Sequence, residues 1–393
     1  MAAERNVLIV TCEYAPFPGG IGTYASRLAC TLRDAGVSVT VIAPRYPELS
    51  GALPSGVRHL LHFDHHGITA GASFRLLGEL RRLAANDIVL AADIRSLMLV
   101  WSLGWLHRRQ YTVMVHGSEA SKLGKRTPLA LMAKRAYRSA RDVVYNSRAT
   151  QQIFRKHVRG LKRDAVTYLG VDATWFYPPT TSKFDHLELR RLSSEPDRPC
   201  ICTVGRIEPR KGQLQAIRAL ALARDRFGLS NPVYVAAGRT EDPAYAAQVE
   251  QTGRELGIEV MMPGRISEDD VKRLYGRSLV HLLPAQSLPG RIEGFGLVLL
   301  EAAASGCPSV ATCEGGIPEV LGTSGLQFES QDAEGMAGAI ARLAAHPEEL
   351  HMLRNAALLR AQQFDWRSCA IATFPDIFGA RTIARGFENP LAI

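Results

Sequence analysis

The feature that most constrains the fold of this chain is an alternation of short apolar segments with amphipathic helical segments, which occurs twice. In the first half, NVLIVTCEY (6–14) and VSVTVIAP (37–44) are typical of buried strands, and GTYASRLACTLRDAG (22–36) between them has the apolar spacing of a helix. Such alternation with nearly continuous apolar strands predicts an α/β domain with a doubly wound parallel sheet. The alternation restarts at CICTVGR (200–206), so the sequence predicts two such domains.

A polar segment separates the two alternating regions. Residues 178–199 carry four prolines and break the pattern. We therefore expect an N-terminal domain over 1–180, a linker over 181–199, a C-terminal domain over 200–365, and a helical segment over 366–393 that crosses back to the N-terminal domain. Ligands bind at the carboxyl ends of the strands in such sheets, so the two Rossmann-like domains are expected to face each other across a ligand-binding cleft.

Composition limits the class of protein. Hydrophobic residues make up 46% and charged residues 22% of the chain, which is typical of a soluble globular protein. No apolar run approaches the ~20 residues of a membrane-spanning helix. The N-terminal sequence lacks the arrangement of a signal peptide. The seven cysteines include no CxxC pair, so we expect reduced thiols and a cytoplasmic location.

The positive charge lies in the first half of the chain. Residues 1–180 carry 24 Lys and Arg against 12 Asp and Glu, while residues 181–393 carry 23 against 26, for the net charge of +9. Within 122–163 there are 13 basic residues and one acidic residue. This excess predicts an anionic partner, such as an anionic membrane surface or a lipid diphosphate. Nucleic acid is not expected, because the sequence contains no motif that reads it.

The segment PLALMAKRAYRSAR (128–141) lies within this basic region and has helical apolar spacing. Leu129, Met132, Ala133, Ala136 and Tyr137 form one apolar stripe beside its cations. The stripe fits a helix that contacts a membrane surface. It fits equally a helix that faces the core and presents a solvated basic face.

Glycines follow the first predicted strand. Gly19 and Gly20 fall where that strand gives way to a helix, and glycine there lets backbone N–H groups approach an anion. A loop that needs positive φ would use the same residues. The GGxG spacing differs from the GxGxxG of dinucleotide-binding folds, so we do not expect a nicotinamide cofactor.

The second predicted domain opens with VGRIEPRKG (204–212), at the end of its first strand. Arg206 offers a planar fork of donors and Lys211 a mobile point charge, which suits a diphosphate. Two solvated basic residues in a polar loop would look the same in sequence. The position at the carboxyl end of a strand favours the functional interpretation.

The stretch RIEGFGLVLLEAAASG (291–306) holds two glutamates, Glu293 and Glu301. A helix should begin near Gly296 or Leu297, with its first N–H groups facing an anion. Helical side chains lean toward the N-terminus, so Glu301 should point back to the opening that Glu293 borders. Carboxylates accept from the hydroxyls of a diol, which indicates a ligand with hydroxyls at both ends and charge between them. The alternative is an exposed Glu293 and a Glu301 paired with an arginine.

Together, VGRIEPRKG, EGFGLVLLEAAASGCPSVAT and EGGIPEV resemble the retaining GT-B glycosyltransferases of glycosyltransferase family 4. The resemblance covers most of the chain, through the glycine loop, VHGSE, VVYNSRAT, YLGVDATWFYP and FDW, in the family's order. It implies a GT-B fold and transfer of a hexosyl group, with retention, from a UDP or GDP sugar to a hydroxyl of a cell-surface glycan or glycolipid precursor. It also implies no metal cofactor, which agrees with the lack of a DxD motif at a strand end.

In that family the first glutamate contacts the transferred sugar and the second holds the ribose, while the Arg and Lys of the GR…KG motif bind the diphosphate. The glycine loop lies against the phosphates and the acceptor, and a histidine that ends a strand of the first domain faces the sugar's reactive carbon. The catalytic residues implied here are His116, Arg206, Lys211 and Glu293. The donor-binding residues implied are Gly19, Gly20, Arg206, Lys211, Gly264, Arg265, Glu293, Phe295, Gly296, Leu297 and Glu301.

One departure from the family pattern concerns the approach to Glu293. The family commonly has P-S-x-x-E, but here Pro284 precedes Glu293 by nine positions, and the longer loop adds Arg291 beside the expected donor site. The sugar and the acceptor therefore stay open. Sucrose- or glucan-forming transfer and a non-catalytic protein that binds sugar nucleotides or polyanions are the alternatives on the same fold.

Overall fold

The computed structural model describes residues 5–14, 19–44, 56–61, 70–179, 181 and 183–378. The chain divides into two compact units. Among the described residues, those up to Gly170 and from Trp366 onward belong to unit 1, and those within Val171–Asp365 belong to unit 2. Each unit is built around one parallel sheet, as the alternation of strands and helices predicts.

Unit 1 contains a seven-stranded sheet in the order β3-β2-β1-β4-β5-β6-β7, and every neighbouring pair is parallel. The chain runs outward from β1 to β3 and then returns to the other side of β1. The strands are β1 (Asn6–Val10), β2 (Ser38–Pro44), β3 (Val57–Leu61), β4 (Ile88–Ala91), β5 (Tyr111–Val115), β6 (Asp142–Tyr145) and β7 (Asp164–Val166). The helices are α1 (Gly20–Asp34), α2 (Ala70–Arg82), α3 (Ile94–Ser102), α4 (Gly104–His107), α5 (Gly117–Lys122), α6 (Pro128–Ser139) and α7 (Arg148–His157).

Unit 2 contains a six-stranded parallel sheet in the order β10-β9-β8-β11-β12-β13. The strands are β8 (Cys200–Val204), β9 (Val233–Ala237), β10 (Glu259–Gly264), β11 (Val280–Leu283), β12 (Ser309–Thr312) and β13 (Leu326–Phe328). The helices are α8 (Gln213–Phe227), α9 (Pro243–Glu255), α10 (Glu268–Arg277), α11 (Leu297–Ala304), α12 (Ile317–Leu321), α13 (Ala333–Ala345) and α14 (Pro347–Ala361).

The last helices, α15 (Trp366–Thr373) and α16 (Pro375–Phe378), belong to unit 1. Helix α15 packs against α1, and the Thr167 hydroxyl donates to the Cys369 carbonyl at 3.2 Å. The prediction that the C-terminal segment crosses back to the first domain is confirmed. The rest of that segment, 379–393, lies outside the described residues.

Residues 181–199, which the sequence predicts to be a linker, lie in unit 2. Phe184, Leu189 and Leu192 are buried, and the backbone N–H groups of Asp185 and His186 donate to the Asp270 carboxylate. Prolines and charged residues dominate the composition of this segment, which is why the sequence predicts a linker. The composition does not show that three apolar side chains of the segment are buried in unit 2.

Each unit has a cluster of buried hydrophobic residues around its sheet. In unit 1, Phe154 packs edge-on against Tyr137 and Tyr145, with ring centroids 4.8 and 5.2 Å apart. All seven cysteines are free. Among the described residues, no helix is long and apolar enough to cross a membrane.

Candidate active site

The neighbouring strands β8 and β11 form the topological switch point of unit 2. The chain leaves β8 toward β9 and β10 on one side and returns to β11 on the other. In sheets of this kind, ligands generally bind at the carboxyl ends of the two strands that flank such a switch point. Both motifs that the sequence singles out in this domain, GRIEPRKG and RIEGFG, lie on these two loops.

The loop after β8 packs closely against the end of β11. Residues Pro209–Lys211 form one turn of 3₁₀ helix, and Gly212 follows with φ of 74° before α8 begins. A Cβ at Gly212 would lie 1.9 Å from the Pro284 carbonyl oxygen. Glycine is therefore required here both for the backbone conformation and for space.

A buried cluster of charges joins the two loops. The Glu293 Oε2 atom accepts from Arg210 Nη1 at 2.5 Å and from Lys211 Nζ at 2.6 Å. Glu293 is only 8% exposed, and both cations are buried with it. The alternative of an exposed Glu293 is therefore wrong.

The cations determine the ionisation of Glu293. Burial by itself would raise the pKa of Glu293, but the charges of Lys211 and Arg210 and their hydrogen bonds lower the pKa to about 2. His281, on the neighbouring strand β11, is buried, and its pKa falls to about 3 because of burial and the charge of Lys211. Near neutral pH the cluster therefore holds an ionised glutamate and a neutral histidine.

A second buried carboxylate, that of Glu208, lies in the same cluster. Its Oε1 atom is 2.8 Å from Arg210 Nη2 and 3.1 Å from Arg206 Nη2, and its Oε2 atom is 3.5 Å from Arg291 Nη1. The side chains of Arg206 and Arg291 are 44% and 59% exposed, whereas that of Glu208 is 2% exposed. Four cations and two carboxylates thus meet at the switch point, with a formal charge of +4 − 2 = +2.

Sequence reasoning missed Arg210 and Glu208. It selected Arg206 and Lys211 because the motif has those two cations in its pattern, and it treated the residues between them as turn. The available signal was the pair of adjacent cations Arg210 and Lys211 directly before Gly212. Their common partner, Glu293, is more than eighty residues away in the chain.

The start of α11 agrees with the prediction. Gly296 has φ of 91°, and the helix begins at Leu297. The following loop fixes the backbone of Glu293: the Gly316 N–H donates to the Glu293 carbonyl at 3.0 Å, and a Cβ at Gly315 would lie 2.0 Å from that oxygen.

Two other predicted donor-site residues, Phe295 and Glu301, lie around this start of the helix. Phe295 is buried and packs edge-on against Phe364, with centroids 6.1 Å apart. Glu301 lies half-buried one turn inside α11. Burial, followed by the charge of Glu301, raises the pKa of Tyr275.

Gly264 and Arg265 lie farther along the same edge of the sheet. Gly264 ends β10 with φ of 72°, and its carbonyl accepts from the Gly238 N–H at 2.8 Å. A Cβ at Gly238 would in turn lie 2.0 Å from the Gly205 carbonyl. Three strand-end glycines are thus packed in a row, and Arg265 is exposed beside them.

In unit 1, His116 lies directly after β5 and before α5. Its Nε2 atom is 2.9 Å from the Ala92 carbonyl oxygen, and its ring packs edge-on against Tyr24 at 5.7 Å. Burial lowers the pKa of His116, so the imidazole is neutral near pH 7. A neutral ring that donates from Nε2 to a carbonyl leaves Nδ1 as an acceptor.

A buried carboxylate that the sequence did not single out supports His116. Glu119 accepts from the His116 N–H at 3.2 Å and from the Ile94 N–H at 2.8 Å, so it links the loops after β4 and β5. Asp93, also buried, accepts from the Cys12 N–H at 2.8 Å after β1. Burial, followed by the charge of Asp93, raises the pKa of Glu119 to about 8.

Gly19 and Gly20 form the start of α1. Gly19 is extended, with φ of −127°, and Gly20 is the first helical residue, with open space where a Cβ would be. The alternative that these glycines are needed for positive φ is therefore wrong. Among the described residues, no group of three or more His, Cys, Asp and Glu side chains is placed to hold a metal ion.

Comparison with known families decides the classification. The family "Glycosyltransferase Family 4" matches residues 18–175, and the family "Glycosyl transferases group 1" matches residues 187–360. This chain belongs to glycosyltransferase family 4. It is a glycosyltransferase that uses nucleotide sugars, and the resemblance read from its motifs is confirmed.

Two curated proteins are similar to this glycosyltransferase over most of its length. A GDP-mannose-dependent alpha-(1-6)-phosphatidylinositol monomannoside mannosyltransferase of Mycolicibacterium smegmatis is 28% identical, over 87% of this chain and 90% of that protein. A D-inositol 3-phosphate glycosyltransferase of Saccharomonospora viridis is also 28% identical, over 99% of this chain and 97% of that protein.

Solved structures confirm the GT-B fold of the glycosyltransferase. Anabaena HepE in complex with UDP and glucose superposes with a TM-score of 0.74 at 19% identity, covering 97% of this chain and all of that one. Sucrose-phosphate synthase from Thermosynechococcus elongatus gives a TM-score of 0.73 at 21% identity, covering 98% of this chain.

Proposed function

We propose that this glycosyltransferase moves a hexosyl group from a UDP or GDP sugar to a hydroxyl of a cell-surface glycan or glycolipid precursor, with retention of configuration and without a metal ion. The observation that carries the proposal is the buried cluster at the switch point of unit 2, in which Glu293 is held by Arg210 and Lys211 and Arg206 lies at the exposed side. The chemistry follows from the donors and acceptors that this cluster presents.

The cations suit the diphosphate of the donor. Arg206 is half-exposed and has five N–H donors, and Lys211 has three, one of which is directed at Glu293. The N-terminus of α11 adds backbone N–H groups at the same edge of the sheet. These groups are fixed before the substrate binds, so they can stabilise the charge that develops on the leaving diphosphate.

The two glutamates suit the hydroxyls on either side of the diphosphate. Both cations contact Oε2 of Glu293, so Oε1 is the oxygen available to a hydroxyl of the transferred sugar. A pKa of about 2 keeps Glu293 ionised and therefore an acceptor. Glu301, one turn into α11, takes the ribose diol.

His116 acts by orientation in this proposal. Its ring is neutral and held by the Ala92 carbonyl, so it is not placed to form a covalent intermediate. The leaving phosphate accepts the proton of the acceptor hydroxyl, and the new bond forms on the same face of the sugar as the bond that breaks. Family membership supports this same-face mechanism.

The acceptor side of the proposal includes a peripheral association with an anionic membrane, at its cytoplasmic face. The apolar stripe of α6 divides in the structure: Ala133, Ala136 and Tyr137 are buried, whereas Leu129 and Met132 are exposed. Leu131 is exposed too, and exposed cations surround this end of the helix. Exposed apolar side chains among cations suit an anionic lipid surface, where a lipid-linked acceptor resides.

The donor and the reaction are tested together. A thermal-shift panel of UDP, GDP and ADP identifies the base, since a bound ligand raises Tm. Transfer from the matching labelled sugar nucleotide is then followed by NMR of the anomeric centre, with and without EDTA. Retention, insensitivity to EDTA, and loss of transfer in Glu293→Ala and Lys211→Ala are expected. Inversion or EDTA-sensitive transfer would contradict the proposal.

The membrane contact has its own test. Sedimentation with vesicles rich in anionic lipid is measured at rising salt for the wild type and for a variant with Leu129, Leu131 and Met132 changed to Ser. The control changes Met352 and Leu359, exposed on α14, to Ser. Binding that falls with salt and is lost only in the α6 variant is expected. Equal sedimentation of the wild type and the α6 variant would rule out this surface.

A further inference from the structure

The loop that departs from the family pattern forms a closed turn. Leu288 and Arg291 exchange both backbone hydrogen bonds at 2.9 Å, around Pro289 and Gly290. Gly290 has φ of 74°, and proline followed by a glycine of positive φ is the signature of a type II turn. The backbone of Arg291 is therefore fixed as it leaves the turn.

Contacts on both sides hold this loop at the switch point. The Gln286 N–H donates to the Arg210 carbonyl at 2.8 Å, which joins the loop to the segment after β8. The Ser287 hydroxyl donates to the Glu314 carboxylate, which joins it to the segment after β12. These hydrogen bonds hold the longer loop against the segments after β8 and β12, and the loop places Arg291 beside the charge cluster.

Glu208 lies close to two exposed guanidinium groups, those of Arg206 and Arg291. One of its oxygens contacts Arg206 and the other faces Arg291, while Glu208 itself is buried. Glu208 is close to three arginines, so its one negative charge does not neutralise them. With Lys211 and Glu293 included, the six charged residues of the cluster have a formal net charge of +2. The diphosphate of a sugar nucleotide carries one negative charge on each phosphate, so it would balance this excess.

We propose that Arg291 is a third cationic contact to the donor diphosphate, on its sugar-side phosphate, and that Glu208 is a positioning residue that aims Arg206 and Arg291 at that diphosphate. The sugar-side assignment follows from the chain: Arg291 lies two residues before Glu293, the residue proposed to contact the transferred sugar. The inference rests on the proposed function, since it requires a nucleoside-diphosphate donor.

The test compares a nucleoside diphosphate with its monophosphate. Calorimetric titration of the wild type and Arg291→Gln uses UDP and UMP, or GDP and GMP if the guanine nucleotide stabilises the protein more. Arg291→Gln is expected to weaken diphosphate binding by about tenfold or more and to change monophosphate binding by less than about twofold. Arg342→Gln, an exposed arginine of α13 paired with Glu349, is the matched control and is expected to leave both affinities unchanged.

The positioning role is tested by a double-mutant cycle. If Glu208 acts through the arginines, Glu208→Gln and Arg291→Gln together should weaken diphosphate binding by less than the product of the single effects. Purely multiplicative effects would contradict the positioning role. Arg291 lies at the surface, so the single variant at that position tests the proposal even if Glu208→Gln fails to fold.

The outcomes distinguish a failure of the proposed role of Arg291 from a failure of the proposed function. If the wild type binds a nucleoside diphosphate and Lys211→Ala weakens that binding while Arg291→Gln does not, the role of Arg291 is refuted and the proposed function stands. Equal loss of diphosphate and monophosphate binding in Arg291→Gln would also refute the phosphate contact. If the wild type binds none of the nucleotides, the proposed function fails and this inference fails with it.

Discussion

Lys211 and Glu293 form a buried ion pair, with Nζ 2.6 Å from Oε2, across the switch point of the second sheet. Arg210 reaches the same oxygen at 2.5 Å. The carboxylate therefore compensates two buried cations, and the cations hold it ionised. Removal of Glu293 would leave two buried cations without their common counter-ion, whereas removal of one cation leaves the carboxylate paired with the other.

The first prediction concerns the charge of Glu293. Glu293→Gln keeps an acceptor oxygen but removes the charge, so Lys211 and Arg210 lose their counter-ion. We expect a loss of about 3–5 kcal/mol in the free energy of unfolding and a drop of about a hundredfold or more in kcat. Chemical denaturation and transfer kinetics measure the two effects. Glu334→Gln, an exposed residue paired with Arg226, is the control and should change the free energy by less than about 0.5 kcal/mol.

The second prediction concerns Lys211. Lys211→Met retains the apolar stem and leaves Arg210 to compensate Glu293, so the protein should fold. We expect nucleoside-diphosphate affinity to fall by about tenfold or more, because a charge-assisted contact to phosphate is lost. Titration calorimetry measures the affinity. Lys183→Met, at an exposed position of unit 2, should bind as the wild type does, and unchanged binding by Lys211→Met would contradict the role of Lys211.

The third prediction is a pH dependence set by Glu119. Its pKa is about 8 in the folded protein and about 4.3 in an unfolded chain, so folding takes up a proton between these values. The stabilisation from this group is complete below about pH 4 and is lost as the pH rises through about 8. Relative to Glu119→Gln, the wild type should lose free energy of unfolding between about pH 5 and 8, with a slope of up to about 1.4 kcal/mol per pH unit. Parallel stability curves for the two proteins across this range would contradict the pKa of Glu119.

The fourth prediction concerns the packing that fixes the backbone of Glu293. A Cβ at Gly315 would lie 2.0 Å from the Glu293 carbonyl oxygen, and φ at Gly315 is 56°. Gly315→Ala should therefore destabilise the protein by more than about 1 kcal/mol and reduce transfer activity. Gly276→Ala is the control, since it lies in α10 with open space where a Cβ would be, and it should stabilise by about 0.5–1 kcal/mol. Equal behaviour of the two variants would show that Gly315 is not constrained by Glu293.

The local features of both units follow from the sequence because they depend on short-range patterns. The period of the apolar residues predicts the strands and helices, and the resulting alternation predicts two parallel sheets. Glycine before an apolar run predicts that α11 starts near Gly296 or Leu297, and in the structure it starts at Leu297. The order and spacing of the motifs are specific enough to identify the family from sequence.

Sequence alone did not decide how side chains from distant segments combine. Whether Leu129 and Met132 of α6 are buried together with Tyr137 depends on which side of the helix the neighbouring elements cover, and the tertiary structure leaves the first two exposed. No sequence motif predicts that Glu119 is buried near Asp93. The two residues come together only because β4 and β5 are neighbours in the sheet and end side by side.

The site likewise depends partly on residue types that the sequence fixes and partly on contacts that only the tertiary structure makes. The sequence by itself determined which residue types lie at the ends of β8 and β11, and from them it predicts a ligand with a diphosphate flanked by hydroxyls. Only the tertiary structure decided that Arg210 and Lys211 both contact Glu293, and that Glu208 faces Arg206 and Arg291. The physical reason is the order of the strands: β8 and β11 are far apart in the chain, but they are parallel neighbours in the sheet because the strand order reverses between them.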